Sequence, residues 1–298
     1  MKISYIFTLI IILFTLSAFS QSPDILFNGT VSAESNQIKN VADPTDAQDA
    51  VTKNYIYSKV EVDSLIAQAV ANLESQINNL NTSVLDIDGN SYNYLTYGDQ
   101  LWTVENAEMV TYRDGTPIPQ ETYGAEWQSL TTGAWCYINN DPSKGKLYNW
   151  YAVAGIHDLD PDTPNKELAP EGWHVSSNEE WTILELYLID NGNNYDGTTV
   201  GNKIAKSMAS STGWNSSGNT GGPGNDQSTN NSSGFNAFPE GGLGNLGNPD
   251  GGIENPQGVI AIFWCSEVWH RYLGPGLNFL ASGINPSWEG FSVRFVKD

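Results

Sequence analysis

Carboxylates are the side chains of this sequence that first suggest chemistry, because glycoside hydrolysis requires two of them on either side of one bond. With 34 acidic residues among 298, however, some carboxylates come close together by chance. Glu180 also has a structural explanation, since it lies three residues after Ser177 as a helix-capping partner. We therefore predict no catalytic residue, and a secreted glycan-active enzyme stays an alternative. The carboxylates considered for such a pair are Asp158, Asp160, Asp162, Glu179, Glu180, Glu185 and Glu267.

Histidine, serine and cysteine patterns point away from other enzyme classes. The three histidines lack the spacing of a zinc enzyme, and the sequence has neither a Gly-x-Ser-x-Gly elbow nor a P-loop. Two cysteines are too few for a thiolate zinc site of the finger type. We expect Cys136 and Cys265 to form a disulfide in an oxidising compartment, with two buried thiols as the alternative.

Oxygen donors collect in the glycine-rich stretch 215–231, where an irregular backbone suits the coordination of Ca²⁺. The candidate metal ligands are Asn225, Asp226 and Asn230. Only one of them is a carboxylate and no EF-hand spacing is present, so a loop held by asparagine turns is the alternative. Calcium is the one cofactor that the sequence leaves open.

Sugar binding requires exposed aromatic faces beside amide and carboxylate groups. Most of the ten Trp must lie in the core because each buries a large area, and we assign Trp102, Trp150, Trp173 and Trp181 there. A second group lies in or near the long loop and the late hairpin, and we expect one or two of its rings to be exposed. These candidate ligand-binding residues are Trp214, Trp264, Trp269, Tyr272 and Trp288.

The N-terminus indicates export. Lys2 precedes the apolar stretch Ile6–Leu16, and Ala18 and Ser20 offer small residues at a cleavage site, so residues 1–20 are predicted to be a signal peptide. A membrane helix is the alternative, but about eleven apolar residues fall short of the ~20 needed to span a bilayer. We expect a secreted, extracellular or cell-surface protein with no membrane insertion. The net charge of −21 also makes nucleic acid an unfavourable partner.

A stalk is predicted between this signal and the aromatic part of the chain. The segment Ile38–Tyr55, within a predicted extended region 21–55, resembles a repeat of phage tail-fibre and bacterial fibrous adhesin proteins, which implies a trimer. A heptad pattern follows over residues 56–87 and predicts a coiled coil, with a single amphipathic helix lying on the main domain as the alternative. The seam has Asp63, Val70, Ile77 and Val84 at a, and Ile66, Leu73, Leu80 and Ile87 at d.

Residues 88–298 are predicted to form one α+β domain. A capping box at Ser177–Glu180 opens a helix over Trp181–Ile189, and a weaker helix is expected over Thr199–Ala209. A hairpin is expected after Trp264, around the turn at residues 274–276. Short β-branched or aromatic runs predict strands over Leu101–Tyr112, Leu147–Val153, Val259–Cys265, Val268–Leu273, Leu277–Ala281 and Phe291–Val296.

Six ordered motifs in this domain carry a family resemblance. They are Gly98–Asn106, Asp114–Pro119, Gly145–Val153, Ala169–Val175, Ser233–Pro239 and Gly290–Arg294. Together they resemble the Fibrobacter succinogenes major paralogous domain family over some two thirds of the chain. The resemblance implies a fold similar to C-type lectins, with two helices, short antiparallel strands and a long loop region, and it implies no general activity. One departure is Phe295, where members usually carry a cysteine.

These features together predict a non-enzymatic, adhesin-like binding protein. Its lectin-like head is expected to recognise an extracellular glycan or a surface protein, and a homotrimeric stalk would make several weak sites act together. A structural surface-assembly protein without a small ligand is the alternative.

Overall fold

The computed structural model describes residues 59–80, 83–122, 126–244 and 254–298. The predicted signal peptide and the predicted extended stalk segment lie outside these residues. Contacts divide the chain into two units, Met1–Leu73 and Glu74–Asp298. Among the described helices, none is both long enough and apolar enough to cross a membrane.

Helix α1 (Lys59–Leu80) carries the predicted heptad pattern, but it is shorter than the sequence predicts. Val84 lies in strand β1 and Ile87 lies in a turn, so the last a and d positions do not belong to a helix. The physical reason is that a β-hairpin forms here instead of a longer helix, since β1 pairs antiparallel with the following strand. Asp86 stabilises the turn between the two strands. Its carboxylate accepts hydrogen bonds from the Asn90 backbone N–H at 2.8 Å and from the Tyr92 hydroxyl at 2.6 Å.

Three antiparallel sheets form the head. Their orders are β1-β2-β3-β13-β6, β4-β5-β12-β7-β8 and β11-β10-β9. Few helices accompany them, so the fold is mixed α+β, as predicted. The strands of the described residues are β1 Ser83–Leu85, β2 Ser91–Tyr97, β3 Gln100–Thr103, β4 Trp135–Tyr137, β5 Lys146–Asn149, β6 Trp173–Val175, β7 Gly242–Leu243, β8 Glu254–Asn255, β9 Ala261–Trp264, β10 His270–Leu273, β11 Ala281–Gly283, β12 Gly290–Phe291 and β13 Phe295–Lys297.

The C-terminal segment joins all three sheets. Strand β12 pairs with β5 and β7, Ser292 forms a bridge to β9, and β13 pairs with β3 and β6. This sharing explains why the single predicted strand Phe291–Val296 is interrupted. Apolar and polar residues alternate along this segment, and the apolar ones, Phe291, Val293 and Phe295, all lie in one buried cluster.

The helices of the head are α2 (Trp150–Val153), α3 (Asn178–Asp190) and α4 (Ala205–Met208). The capping box of α3 is confirmed, because Ser177 Oγ accepts from the Glu180 N–H and the Glu180 carboxylate accepts from the Ser177 N–H at 2.8 Å. The helix predicted over Thr199–Ala209 is reduced to the single turn of α4. It ends where Ala209 forms a bridge to Ala237.

Three predicted strands are largely wrong. The run Leu101–Tyr112 is a strand only as far as Thr103, where β3 ends. The run Leu147–Val153 leaves the strand at Asn149, whose side chain caps α2 by accepting from the Ala152 N–H at 3.0 Å. The run Leu277–Ala281 is mostly loop, and β11 begins only at Ala281. The hairpin itself is confirmed, since β10 pairs antiparallel with β11.

Candidate functional site

The structure buries two of the five aromatic residues predicted to bind ligand. Trp214 and Trp264 both lie in the core. Trp264 donates from Nε1 to the Tyr148 carbonyl at 2.9 Å, and its ring centroid lies 4.3 Å from that of Phe291. Strand β9 is buried on both faces, so Trp264 has no surface to offer a ligand. The assignment of these two residues to a binding surface is therefore wrong.

Trp269 is the exposed ring of the predicted group. Trp269 directly precedes β10 and is 37% exposed. Tyr272 and Trp288, the other two members of the group, are half-buried. The pairing of β10 with β11 ends at His270 and Gly283, so Trp269 and Ile284 directly flank this end of the hairpin. Both residues are exposed, and we call them together the Trp269 surface.

The predicted calcium loop is organised around a lysine instead of a metal ion. The Lys206 ammonium donates to the backbone carbonyls of Asn225 and Asp226, and burial lowers the pKa of Lys206. Asn230 directs its amide nitrogen to the carbonyls of Ser210 and Pro223, at 2.9 and 3.0 Å. A cation at these carbonyls would meet the Lys206 charge, which disfavours Ca²⁺ at the backbone of Asn225 and Asp226.

Other metal ligand sets are also missing from the described residues, where no group of three or more His, Cys, Asp and Glu side chains is placed to hold an ion. The predicted disulfide is not formed there either. Cys136 packs in one buried cluster with Trp127 and Leu147, whereas Cys265 packs in another with Trp181. Burial raises the pKa of the Cys265 thiol to about 12, so it stays protonated and unreactive at neutral pH.

A surface cleft of about 260 Å³ forms where three of the sequence motifs meet. The motif Gly98–Asn106, the motif Ser233–Pro239 and the C-terminal motif each contribute to its lining. We call it the motif cleft. Its polar and aromatic side chains are Glu105, Asn106, Glu108, Asn236, Phe238, Glu240 and Arg294.

Arg294 holds the walls of the motif cleft together. Its side chain is fully buried, and its guanidinium donates to Asn106 Oδ1 at 2.7 Å, to the Thr103 carbonyl at 2.8 Å and to the Val104 carbonyl. The same group lies over the Phe235 ring, 4.8 Å from its centroid. Burial lowers the pKa of Arg294 to about 10, which leaves it charged at neutral pH. Its donors are used by the fold, so it positions the cleft without being free to bind.

The carboxylates of the motif cleft have different environments. Glu105 accepts from the backbone N–H and the side-chain amide of Asn93, at 2.7 and 2.8 Å. Glu108 accepts from the Lys146 ammonium at 2.6 Å. Burial, followed by the charge of Glu108, raises the pKa of Glu240. A Cβ at Gly145 would lie 3.3 Å from the Glu240 carboxyl carbon and 3.6 Å from Glu108 Oε1, so both carboxylates face one stretch of backbone.

Comparison with known proteins assigns the family. The model of the Fibrobacter succinogenes major domain matches residues 95–297. The chain belongs to this family. No curated protein and no solved structure matches it.

The family motifs explain how the head is joined. In this member of the Fibrobacter succinogenes major domain family, Arg294 links the first motif to Ser233–Pro239 by donating to the Thr103 carbonyl of the one and the Phe235 carbonyl of the other. Phe295, at the position where the sequence departs from the family pattern, packs edge-on against Tyr92 with ring centroids 5.6 Å apart.

Sequence reasoning missed the motif cleft. Glu105 and Asn106 end the first motif, and Asn236 and Phe238 lie in a later one. The predicted binding residues, in contrast, are large aromatic residues and polar residues of the glycine-rich loop. The available signal was the presence of polar side chains inside motifs that otherwise supply core residues. Glu240 lies just beyond its motif and carried no signal of its own.

Proposed function

We propose that this protein is an exported, non-enzymatic binding protein of the cell surface or the extracellular space. Its head has a C-type-lectin-like character and recognises a glycan or a protein surface. The stalk, a trimeric coiled coil, presents three heads together. The signal-peptide pattern of residues 1–20 supports export, and the charge of −21 favours partners other than nucleic acid.

The observation that carries this proposal is the Trp269 surface. An exposed Trp beside an exposed Ile offers a flat apolar contact that a sugar ring or a protein side chain covers. Glu267 lies next to it, where its carboxylate accepts from the Asn178 backbone N–H at 2.9 Å. An aromatic ring with a fixed carboxylate beside it is suited to a ligand that has an apolar face and hydroxyl groups.

The exposed face of α1 supports multivalency. Ile66, Val70 and Leu73 occupy successive d, a and d positions, and all three are exposed in the single chain. Self-association of three helices covers such a stripe. A linked array of weak sites gains avidity by orders of magnitude without any new contact.

Binding by the full chain tests the proposal. We expect it to bind at least one member of a glycan and protein array, with or without Ca²⁺. Trp269→Ala should weaken that binding by more than tenfold, whereas Phe279→Ala, which removes an exposed aromatic ring at the other end of the hairpin, should leave it unchanged. Failure to bind any array member would contradict the proposal.

Sedimentation of the full chain tests the stalk. We expect a trimer at micromolar concentration. Val70→Asp places a charge in the seam and should yield monomers, whereas Ser64→Asp, at an outward b position, should keep the trimer. A wild-type monomer would contradict the stalk. The exposed α1 stripe is also what a structural assembly protein requires, so a trimer that binds nothing would favour that second function.

A further inference from the structure

The motif cleft brings together carboxylates, an amide and an aromatic ring. Its carboxylates are acceptors for hydroxyl groups, and each oxygen of Glu105 uses only one of its lone pairs on Asn93. Glu240 accepts from Gln257 at 3.4 Å, and among the described residues no lysine or arginine lies within ion-pair distance of its carboxyl group. Acceptor capacity is therefore left over for a ligand that donates hydrogen bonds.

Asn236 supplies the complementary group. It is exposed at the cleft with a φ of +55°, which only a minority of non-glycine residues adopt. Its backbone N–H donates to Asn231 Oδ1 at 2.8 Å, and its side-chain amide nitrogen makes no hydrogen bond to a described residue. An amide donor thus faces the same space as the acidic acceptors.

Phe238 gives the cleft an aromatic wall. Its half-buried ring lies over Gly213, where a Cβ would come within 2.5 Å of the ring. The position of the ring is fixed by that contact. A fixed aromatic face beside carboxylate and amide groups matches one apolar sugar face and its hydroxyls.

Size and charge define the ligand class. A volume of about 260 Å³ lies just below the ~300 Å³ at which drug-sized sites begin, which suits a single sugar residue. The guanidinium of Arg294 already donates its hydrogen bonds to protein groups such as Asn106, and the ammonium of Lys146 is paired with Glu108. The net charge that faces a ligand is therefore negative, and it disfavours uronate, sialate and sulfated sugars.

We propose that the motif cleft binds one neutral or amino-substituted sugar residue. Its hydroxyl or ammonium groups donate to Glu105, Glu108 and Glu240, and one of its hydroxyl oxygens accepts from the Asn236 amide. This site is separate from the Trp269 surface, and the inference rests on the proposed binding function. Ligand contacts to the cleft side chains fix the orientation of the ring, while Phe238 covers its apolar face.

Saturation-transfer NMR with the full chain tests this site. The probes are the methyl glycosides of glucose, galactose and mannose, with their 2-amino and uronate counterparts. We expect binding of at least one neutral or amino member and none of the uronates. Binding restricted to uronates, or no binding of any probe, would overturn the proposal.

Asn236→Gly supplies the decisive variant, because glycine accepts the positive φ and the fold is retained. We expect an affinity loss of up to about tenfold, the fold-change given by one hydrogen bond of ordinary strength. Asn140→Gly is the matched control, since Asn140 is exposed, has the same φ of +55° and lies outside the cleft. Equal affinities of the two variants would overturn the proposal.

Two further arms separate this inference from the proposed function. Glu240→Gln keeps the shape of the side chain and should reduce binding of amino sugars more than that of neutral sugars. If Trp269→Ala abolishes array binding while Asn236→Gly and Glu240→Gln bind as wild type, the cleft assignment is overturned and the proposed function stands. If the cleft variants lose the sugar while Trp269→Ala keeps it, the cleft is the site.

Discussion

Acidification should destabilise the head through His270, whose imidazole is buried in its neutral form. The residue is 3% exposed, and its Nδ1 has no hydrogen-bond partner among the described residues. Its ring centroid lies 5.6 Å from those of Tyr272 and Phe291, and a Cβ at Gly283 would come within 2.7 Å of Cε1. Burial, and then the charge of Arg271, lower the pKa of His270 from 6.5 to about 4.

The sign of the effect follows from which state takes up the proton first. Below pH 6.5 the unfolded chain protonates its histidine while the folded chain does not, so stability falls as the pH falls from 6.5 to 4. A lowering from 6.5 to about 4 corresponds to a limit of roughly 3 kcal/mol, at 1.36 kcal/mol for each pKa unit. About 2 kcal/mol of this loss is reached by pH 5.

Urea denaturation between pH 7.5 and 4.5 measures this loss. Carboxylates also titrate toward the acid end, so the quantity to follow is the free energy of unfolding of the wild type minus that of His270→Gln. Relative to pH 7.5, we expect this difference to fall by about 2 kcal/mol at pH 5. His157→Gln, which removes a histidine from a half-buried loop position, is the control for the loss of a histidine as such. A difference for His270→Gln that stays within about 0.5 kcal/mol across the range would refute the reasoning.

Three other perturbations have definite expectations. His174 lies 2.7 Å from both Glu180 and Asp298, and the first of these bonds raises its pKa to about 9. Because its side chain is 37% exposed, we expect about 1 kcal/mol of stabilisation, complete below pH 6.5 and lost as the pH rises through 9, measured as wild type minus His174→Gln. Arg294→Met should cost about 3 kcal/mol or more in urea denaturation, since it leaves buried carbonyls unpaired, and a loss below about 1 kcal/mol would contradict its role. Lys206→Met should lower the melting temperature, and millimolar Ca²⁺ should leave the wild-type value unchanged; a rise with Ca²⁺ would show that the loop holds the metal.

The sequence predicted best where the decisive partners are close in the chain. The capping box joins Ser177 and Glu180 across three residues, and both of its hydrogen bonds are present. The alternation around Ser292 also needed only local information, because side chains of a strand point to opposite faces in turn. The mixed α+β class follows from the same short-range signals.

Errors arose where distant contacts outweigh local preference. Tyr148 and Trp150 are aromatic and favour a strand, but the side chain of Asn149 accepts from the Ala134 N–H and donates to the Thr132 carbonyl, both more than ten residues away. These contacts hold Asn149 where the strand ends and α2 begins. Trp264 has no local feature that distinguishes it from Trp269, and it is buried because Ser292 forms a bridge to β9, far along the chain. No periodicity in the sequence encodes that contact.

The glycine-rich loop, where the sequence leaves calcium open, shows the same limit. Asn225 and Asp226 are suitable donors by residue type, but their carbonyls are taken by Lys206, which lies about twenty residues earlier. The Lys206 ammonium is the cation that these carbonyls contact. Its hydrogen bonds hold together a loop that has little apolar content. Composition shows which donors are present and not which cation they meet.

Each motif contains buried residues that hold the fold together and outward-facing residues that a ligand can reach. Trp102 and Arg294 belong to motifs and are fully buried, so their hydrogen-bonding groups are used by the fold. A ligand must therefore contact motif positions that face outward, such as Glu105 and Asn236, or residues beside the motifs such as Glu240. Family members that keep the buried motif residues and differ at these outward positions should share the fold and bind different ligands.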